Sequence, residues 1–179
     1  MPSVIGHLAV PLCLGAALGR NRIAGSVTAA GTLLAVLPDL DVLAFRLGIP
    51  YQSPFGHRGF SHSLLFAAAT ALCCTLMLAA TRHRRLRSWL FLFAAAASHP
   101  LLDAATDGGL GVALLWPLSE QRLVAPFRPI AVSPIGLERF FSPRGLAVLR
   151  SELVWLWLPC GLVAAWSLLW RRARPAWSR

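Results

Sequence analysis

Phe60–Ala80, FSHSLLFAAATALCCTLMLAA, reads as a membrane helix, because twenty-one positions pass without an Asp, Glu, Lys or Arg. About 20 apolar residues rising about 1.5 Å each cross a bilayer's hydrocarbon core. Arg82, Arg84, Arg85 and Arg87 close the segment, and a second apolar stretch, Ser88–Ala105, follows. Val4–Gly19, Ile23–Leu37 and Glu152–Trp170 share its character. The first two are short for a perpendicular span and rich in Gly and Ala, which suits tight helix packing or partial re-entry. The expected fold is an all-α integral membrane helical bundle of about five helices, within a range of four to six.

The whole chain supports that reading. Of its 179 residues 56% are hydrophobic and 13% charged, and its mean hydropathy is +0.62. An ordinary soluble domain carries roughly a quarter charged residues and is excluded. No linker or repeat divides residues 1–179, so one domain is expected. Cys13, Cys73, Cys74 and Cys160 lie in apolar stretches without paired spacing and read as small buried hydrophobes. Ile5–Leu18 lacks the positive leader of a signal peptide and is expected to be a retained helix.

The net charge is +10, and all 17 basic residues are arginine. In a soluble chain this would suggest nucleic acid. Between apolar spans it signals orientation, and no direct nucleic-acid binding is expected. Arg20 and Arg22, the Arg82–Arg87 run, and Arg171, Arg172 and Arg174 are assigned to the cytoplasm. The N-terminus, the Pro38–Gly59 loop and the Thr106–Ser151 loop then face outward, toward the periplasm of a bacterial inner membrane. Arg122, Arg128, Arg139, Arg144 and Arg150 run against this assignment. Within Leu110–Arg150, five prolines from Pro117 to Pro143 and the aromatics Trp116, Phe127, Phe140 and Phe141 predict a broken external loop at headgroup depth.

On that topology His7, Asp39, Asp41, His57, His62, His99, Asp103, Asp107 and Glu152 gather at one membrane face, with His83 at the other. Ionisable groups inside a membrane are costly and mark function. His99 and Asp103, four residues apart, share one helical face and suit one metal ion; the alternative is an Asp that orients a buried His. His57 and His62 flank Arg58-Gly59-Phe60-Ser61, with Ser61 a candidate N-cap. Imidazoles with carboxylates match a hydrolytic site better than a structural thiolate one. Asp39 and Asp41 end the second helix, where carboxylates oppose the helix dipole unless a cation is near. His7 and Glu152 begin helices on the same face and complete the ligands or supply a base. Arg58 offers a planar fork for a phosphate or carboxylate, and the loop arginines suit anionic lipid.

Leu37-Pro38-Asp39-Leu40-Asp41, His57-Arg58-Gly59-Phe60-Ser61-His62-Ser63, His99-Pro100-Leu101-Leu102-Asp103 and Leu115-Trp116-Pro117-Leu118 resemble the YdjM-type family of inner-membrane proteins, described as metal-dependent hydrolases. The resemblance extends to Ala125–Ile130 and Ser151–Leu153. It implies His7, Asp39, Asp41, His57, His62, His99 and Asp103 as site residues and carries no substrate. The expected function is hydrolysis with one or two divalent ions, zinc first. His7, Asp39, Asp41, His62, His99 and Asp103 are the expected ligands, and His57, Arg58 and Glu152 the catalytic groups. Membrane lipids are the expected partners, a phospholipid or lipid-linked phosphoester the expected substrate, and no protein partner is specified. A metal transporter or sensor and a non-catalytic interaction protein are the alternatives.

Overall fold

The computed structural model describes residues 1–134 and 136–173. Arg174, counted above among the cytoplasmic arginines, lies outside them. The described residues are all-helical, with two isolated bridges, Thr106–Ile130 and Val112–Leu123, and no strand.

Helix α1 (Val4–Leu18) is capped by Ser3, whose Oγ accepts from the Gly6 amide at 3.2 Å. Helix α2 (Gly25–Leu34) leads into a 3₁₀ turn, Leu37–Val42, and the short α3 (Leu43–Arg46). Helix α4 is Leu64–Met77, α5 is Arg85–Ala104 and the short α6 is Leu137–Phe140. Helix α7 (Pro143–Glu152) continues through a π turn, Leu153–Trp157, into α8 (Leu158–Ala173).

Gly25–Arg46 and Pro143–Ala173 are long and apolar enough to cross a membrane, while Val4–Leu18 and Leu64–Met77 are apolar but shorter. The segments after the first all depart from their expected bounds, and two of the departures have a clear local cause. The third apolar segment enters its helix at Ser63, not Ser61: Ser63 is extended at ψ 154° and its Oγ accepts from the Phe66 amide at 3.0 Å. Ser61 instead lies inside a 3₁₀ turn, Phe60–His62, and its hydroxyl donates to Asp41. The last helix starts at Pro143, inside the expected loop, because proline at a first helical turn forfeits no hydrogen bond.

Helix α4 packs along α5, α2 lies against α5 and α1, and α1 pairs with α8. Their core includes Val27, Leu34, Ala71, Phe91, Leu92 and Ala96. Gly31 lets α2 approach α5, since a Cβ there would stand 2.8 Å from the Phe91 ring. The outer face of α8 is apolar, with Leu162 69% and Trp166 69% exposed, as a lipid-facing surface requires. At one end Arg171 donates to the Ala16 carbonyl at 2.7 Å and to that of Ala17, and Arg84 donates to that of Asn21. These contacts gather the end of α1 and the end of α8, and tie the start of α5 to the α1–α2 turn. The opposite end collects the start of α1, the 3₁₀ turn after α2, the end of α5 and the 47–63 loop.

Candidate metal centre

That opposite end holds the cluster. His7, His62, His99 and Asp103 are buried to 1% exposure or less, and Asp39 to 8%. Their donor atoms converge: His99 Nε2 lies 3.0 Å from His62 Nε2 and 3.5 Å from Asp39 Oδ1. Asp103 Oδ1 lies 3.4 Å from His7 Nε2, Asp103 Oδ2 lies 3.4 Å from His62 Nε2, and His7 Nε2 is 3.9 Å from Asp39 Oδ2. Ligand atoms held tetrahedrally at about 2.0–2.1 Å from zinc stand roughly 3.3 Å apart, and the separations of 3.0–3.5 Å are close to that spacing.

The hydrogen-bond partners assign the tautomers. His99 Nδ1 faces the Ala35 carbonyl at 2.7 Å and must donate to it, so Nε2 of the neutral ring carries a lone pair. His62 Nδ1 faces Asp41 Oδ2 at 3.1 Å and Ser61 Oγ at 3.1 Å, so in the neutral ring its Nε2 likewise carries the lone pair. Two such nitrogens 3.0 Å apart are held either by a proton shared between them or by a cation beside them. Asp39 and Asp103 add carboxylate oxygens that make no hydrogen bond, Asp103 Oδ2 being ion-paired with Arg58, and His7 Nε2 is equally unpartnered. Buried polar atoms are nearly always satisfied, so this concentration of orphans fits a bound cation. The donor groups fall into three sets: His7, His99 and Asp103; Asp39, His62 and His99; and Asp41, His57 and His62.

Asp41 stands behind the first two sets. Oδ1 takes His57 Nδ1 at 2.5 Å, and Oδ2 faces the Arg58 amide at 3.0 Å, Ser61 Oγ at 2.8 Å and His62 Nδ1. With its oxygens so committed, Asp41 orients imidazoles.

Arg58 adopts φ 62°, left-handed and uncommon for a residue with a side chain. Asp41 accepts from its amide, and its carbonyl accepts from the Ala113 amide at 3.0 Å. Gly59 follows because a Cβ there would meet the Pro54 carbonyl oxygen at 2.1 Å. The Arg58 guanidinium is 1% exposed rather than open to substrate. Its Nη1 donates to Gly108 O at 3.0 Å, its Nη2 to Thr106 Oγ1 at 3.2 Å, and its Nε sits 3.1 Å from Asp103 Oδ2. The expected anion fork therefore holds a site carboxylate in place.

Glu152 is also turned elsewhere. It is fully buried, Oε1 accepts from the Ser3 amide, and Oε2 accepts from the Ser3 hydroxyl at 2.7 Å. It pins the start of α1, which carries His7. Asp107 accepts from the Val132 amide at 2.7 Å and braces the loop. His83 lies among the arginines of the opposite end, lining a cleft with Arg84, Arg85 and Arg87.

Arg122 matters in a way its sequence context conceals. Its guanidinium donates to the carbonyls of His57 at 3.0 Å, Arg58 at 3.3 Å, Tyr51 at 2.8 Å and Ser53 at 3.2 Å. Burial lowers its pKa from the usual arginine value. It clamps the loop that carries His57, where sequence position suggested a lipid anchor. Only its four backbone acceptors reveal that role, and no sequence motif encodes them.

A buried set of imidazoles and carboxylates at one end of an apolar helical bundle defines a membrane protein with a metal-type donor cluster. The family model described as YdjM inner membrane protein matches residues 1–174, and the chain belongs to that family. It is 48% identical over 175 residues to the inner membrane protein YbcI of Escherichia coli (strain K12), covering 96% of this chain and 99% of that one. No solved structure matches. Family and relative together make this an inner-membrane chain.

Proposed function

We propose that the chain is a membrane-bound metal-dependent hydrolase with its site at the periplasmic face. The observation that carries this reading is the convergence of His62 Nε2 and His99 Nε2 at 3.0 Å beside buried Asp39, Asp103 and His7 atoms that have no hydrogen-bond partner. The donor set of neutral imidazoles and carboxylates, without thiolate, suits a hydrolytic ion, zinc first.

His7, His62, His99, Asp39 and Asp103 would hold the ion. Bound there, a divalent cation lowers the pKa of water and polarises the oxygen of a phosphoryl or acyl group. Asp41 keeps His57 and His62 in the Nδ1–H tautomer, which turns both Nε2 atoms toward acceptor roles. His57, 3% exposed, is the proton acceptor of this arrangement. Arg58 and Glu152 act by positioning, the first through Asp103 and the second through Ser3 and α1.

A phospholipid or lipid-linked phosphoester is the substrate class that fits a site at headgroup depth. Placement toward the periplasm is supported by the arginines of the opposite end, and by Arg122 being consumed within the fold. Below His99 the core continues through Leu34, Phe91 and Leu92, which offer no ligand, so a one-sided site is favoured over a transport path.

Elemental analysis of the purified protein beside His62→Ala and His99→Ala variants tests the reading. At least one ion per chain, lost in both variants, is expected, together with phosphodiesterase activity that chelator abolishes and added metal restores. Equal metal in all three proteins removes the proposal.

A further inference from the structure

Beside the cluster lies a cavity of about 450 Å³, within the size range of ligand pockets. Val4 and Ile5 of α1, Val42 at the end of the 3₁₀ turn, and Phe140 and Phe141 line it, and Asp39 forms part of its wall. Asp39 is the one ionisable side chain among the described lining residues. Its carboxylate also belongs to the donor cluster and has no hydrogen-bond partner. One end of any occupant therefore meets the cluster, and most of the rest meets hydrocarbon and aromatic rings, Ser3 and Ser133 being the other polar side chains of the wall. A sugar or nucleotide would find its hydroxyls unpaired there.

The rim points to where the occupant comes from. Val4 is 53% exposed, Ile5 45% and Phe141 82%, an apolar border around the cavity mouth. Val42 and Leu43 belong to Gly25–Arg46, one of the two segments long enough to cross a membrane. The mouth is thus continuous with a surface that faces lipid.

We propose that this cavity seats an acyl chain of a membrane phospholipid and so delivers the lipid's phosphodiester to the Asp39 side of the cluster. The inference rests on the hydrolase reading and specifies its substrate: a lipid entering sideways from the bilayer, with specificity exercised on the chain by Ile5, Val42, Phe140 and Phe141.

The test uses the full-length protein in nanodiscs doped with phosphatidylethanolamine carrying a diazirine in its acyl chain. Illumination and peptide mass spectrometry locate the adducts. They are expected on Val4, Ile5, Val42 and Phe141, enriched over the exposed Leu76 of α4 and Leu162 of α8. Each methylene excluded from an apolar seat weakens binding about fourfold, so filling the cavity with Val42→Trp is expected to cut these adducts by about tenfold or more. Ile5→Trp, at a half-exposed position that tolerates bulk, is the second variant. Metal content in both variants should match wild type, which verifies the fold independently of activity. Adducts spread evenly over lipid-facing residues, or wild-type labelling in both variants, would overturn the proposal. Cavity labelling in a chain that binds no metal would sink the hydrolase reading and leave the acyl seat standing. Bound metal without cavity labelling does the reverse.

Discussion

Asp41 separates tautomer control from metal ligation, and two substitutions there give different expected outcomes. Its oxygens take four donors: His57 Nδ1 at 2.5 Å, Ser61 Oγ at 2.8 Å, the Arg58 amide at 3.0 Å and His62 Nδ1 at 3.1 Å. Asp41→Ala removes every acceptor and frees both rings to turn or change tautomer. Loss of such a partner behind a ligating histidine weakens metal binding by roughly 10–100-fold, or about 1.4–2.7 kcal/mol. Asp41→Asn keeps one acceptor oxygen. The Arg58 amide can only donate, so that oxygen must take the Oδ2 position and the NH₂ group must face His57 Nδ1. His62 then keeps its tautomer through a neutral hydrogen bond about half as strong, and metal affinity falls only about fivefold. His57 is driven to the opposite tautomer, with its proton on Nε2, and loses its capacity as a base, so hydrolysis falls by roughly 10²–10⁴-fold. Zinc titration against a chromophoric chelator, alongside turnover of a phosphodiester at saturating metal, reads both quantities. Wild-type zinc affinity in Asp41→Ala, or equal losses of affinity and turnover in the two variants, would refute the reasoning.

Chelation should destabilise the protein. Metal held at about 100 times its dissociation constant contributes about 2.7 kcal/mol, and a chain of this size shifts by about 2–4 °C per kcal/mol, so the melting temperature should fall by about 5–11 °C. Intrinsic fluorescence from the seven tryptophans reports the transition. Arg58→Lys keeps the charge but cannot reach Asp103, Thr106 and Gly108 together, so a loss of about 1–3 kcal/mol is expected, with weaker metal binding in the same titration. Ser63→Ala deletes the α4 cap and should cost about 1 kcal/mol with metal content unchanged, as elemental analysis will show. Glu152→Gln should lower the melting temperature by weakening the charge-assisted bonds to Ser3 while zinc affinity stays near wild type; loss of zinc in step with turnover would place Glu152 at the metal.

The parts of the site legible in the sequence are those that local geometry decides. Four residues of helix carry His99 and Asp103 to one face whatever surrounds them, and both are buried in the cluster. Asp39 and Asp41 sit at a proline-marked helix end, and the structure gives them separate surroundings: Asp39 faces the unpartnered atoms, and Asp41 is saturated by donors from the 57–62 loop. Two residues of spacing could not tell these apart, because the difference arises from a loop that folds back over one of them. Arg58 and Arg122 differ from their sequence readings for the same reason. The first reads as a fork for a substrate anion and the second as a lipid anchor until their carbonyl and carboxylate partners, about 45–70 positions away in the chain, are known.

The order of residues alone is enough to make this chain an apolar helical bundle of a membrane. Hydrophobic run length and the avoidance of charge are properties of each segment alone, whichever neighbours it later meets. It also determined that histidines and carboxylates collect at one end, since alternating spans sort their ends between two faces. Only the tertiary structure decided which of those groups converge. The orientations of His62 and His99 are set by Asp41 and the Ala35 carbonyl, and the Asp39 cavity is set by α1 meeting Ser133, Pro134, Phe140 and Phe141. Proton position and cavity shape depend on groups distant in the chain, and they exist only once the packed core has brought those groups within hydrogen-bond range.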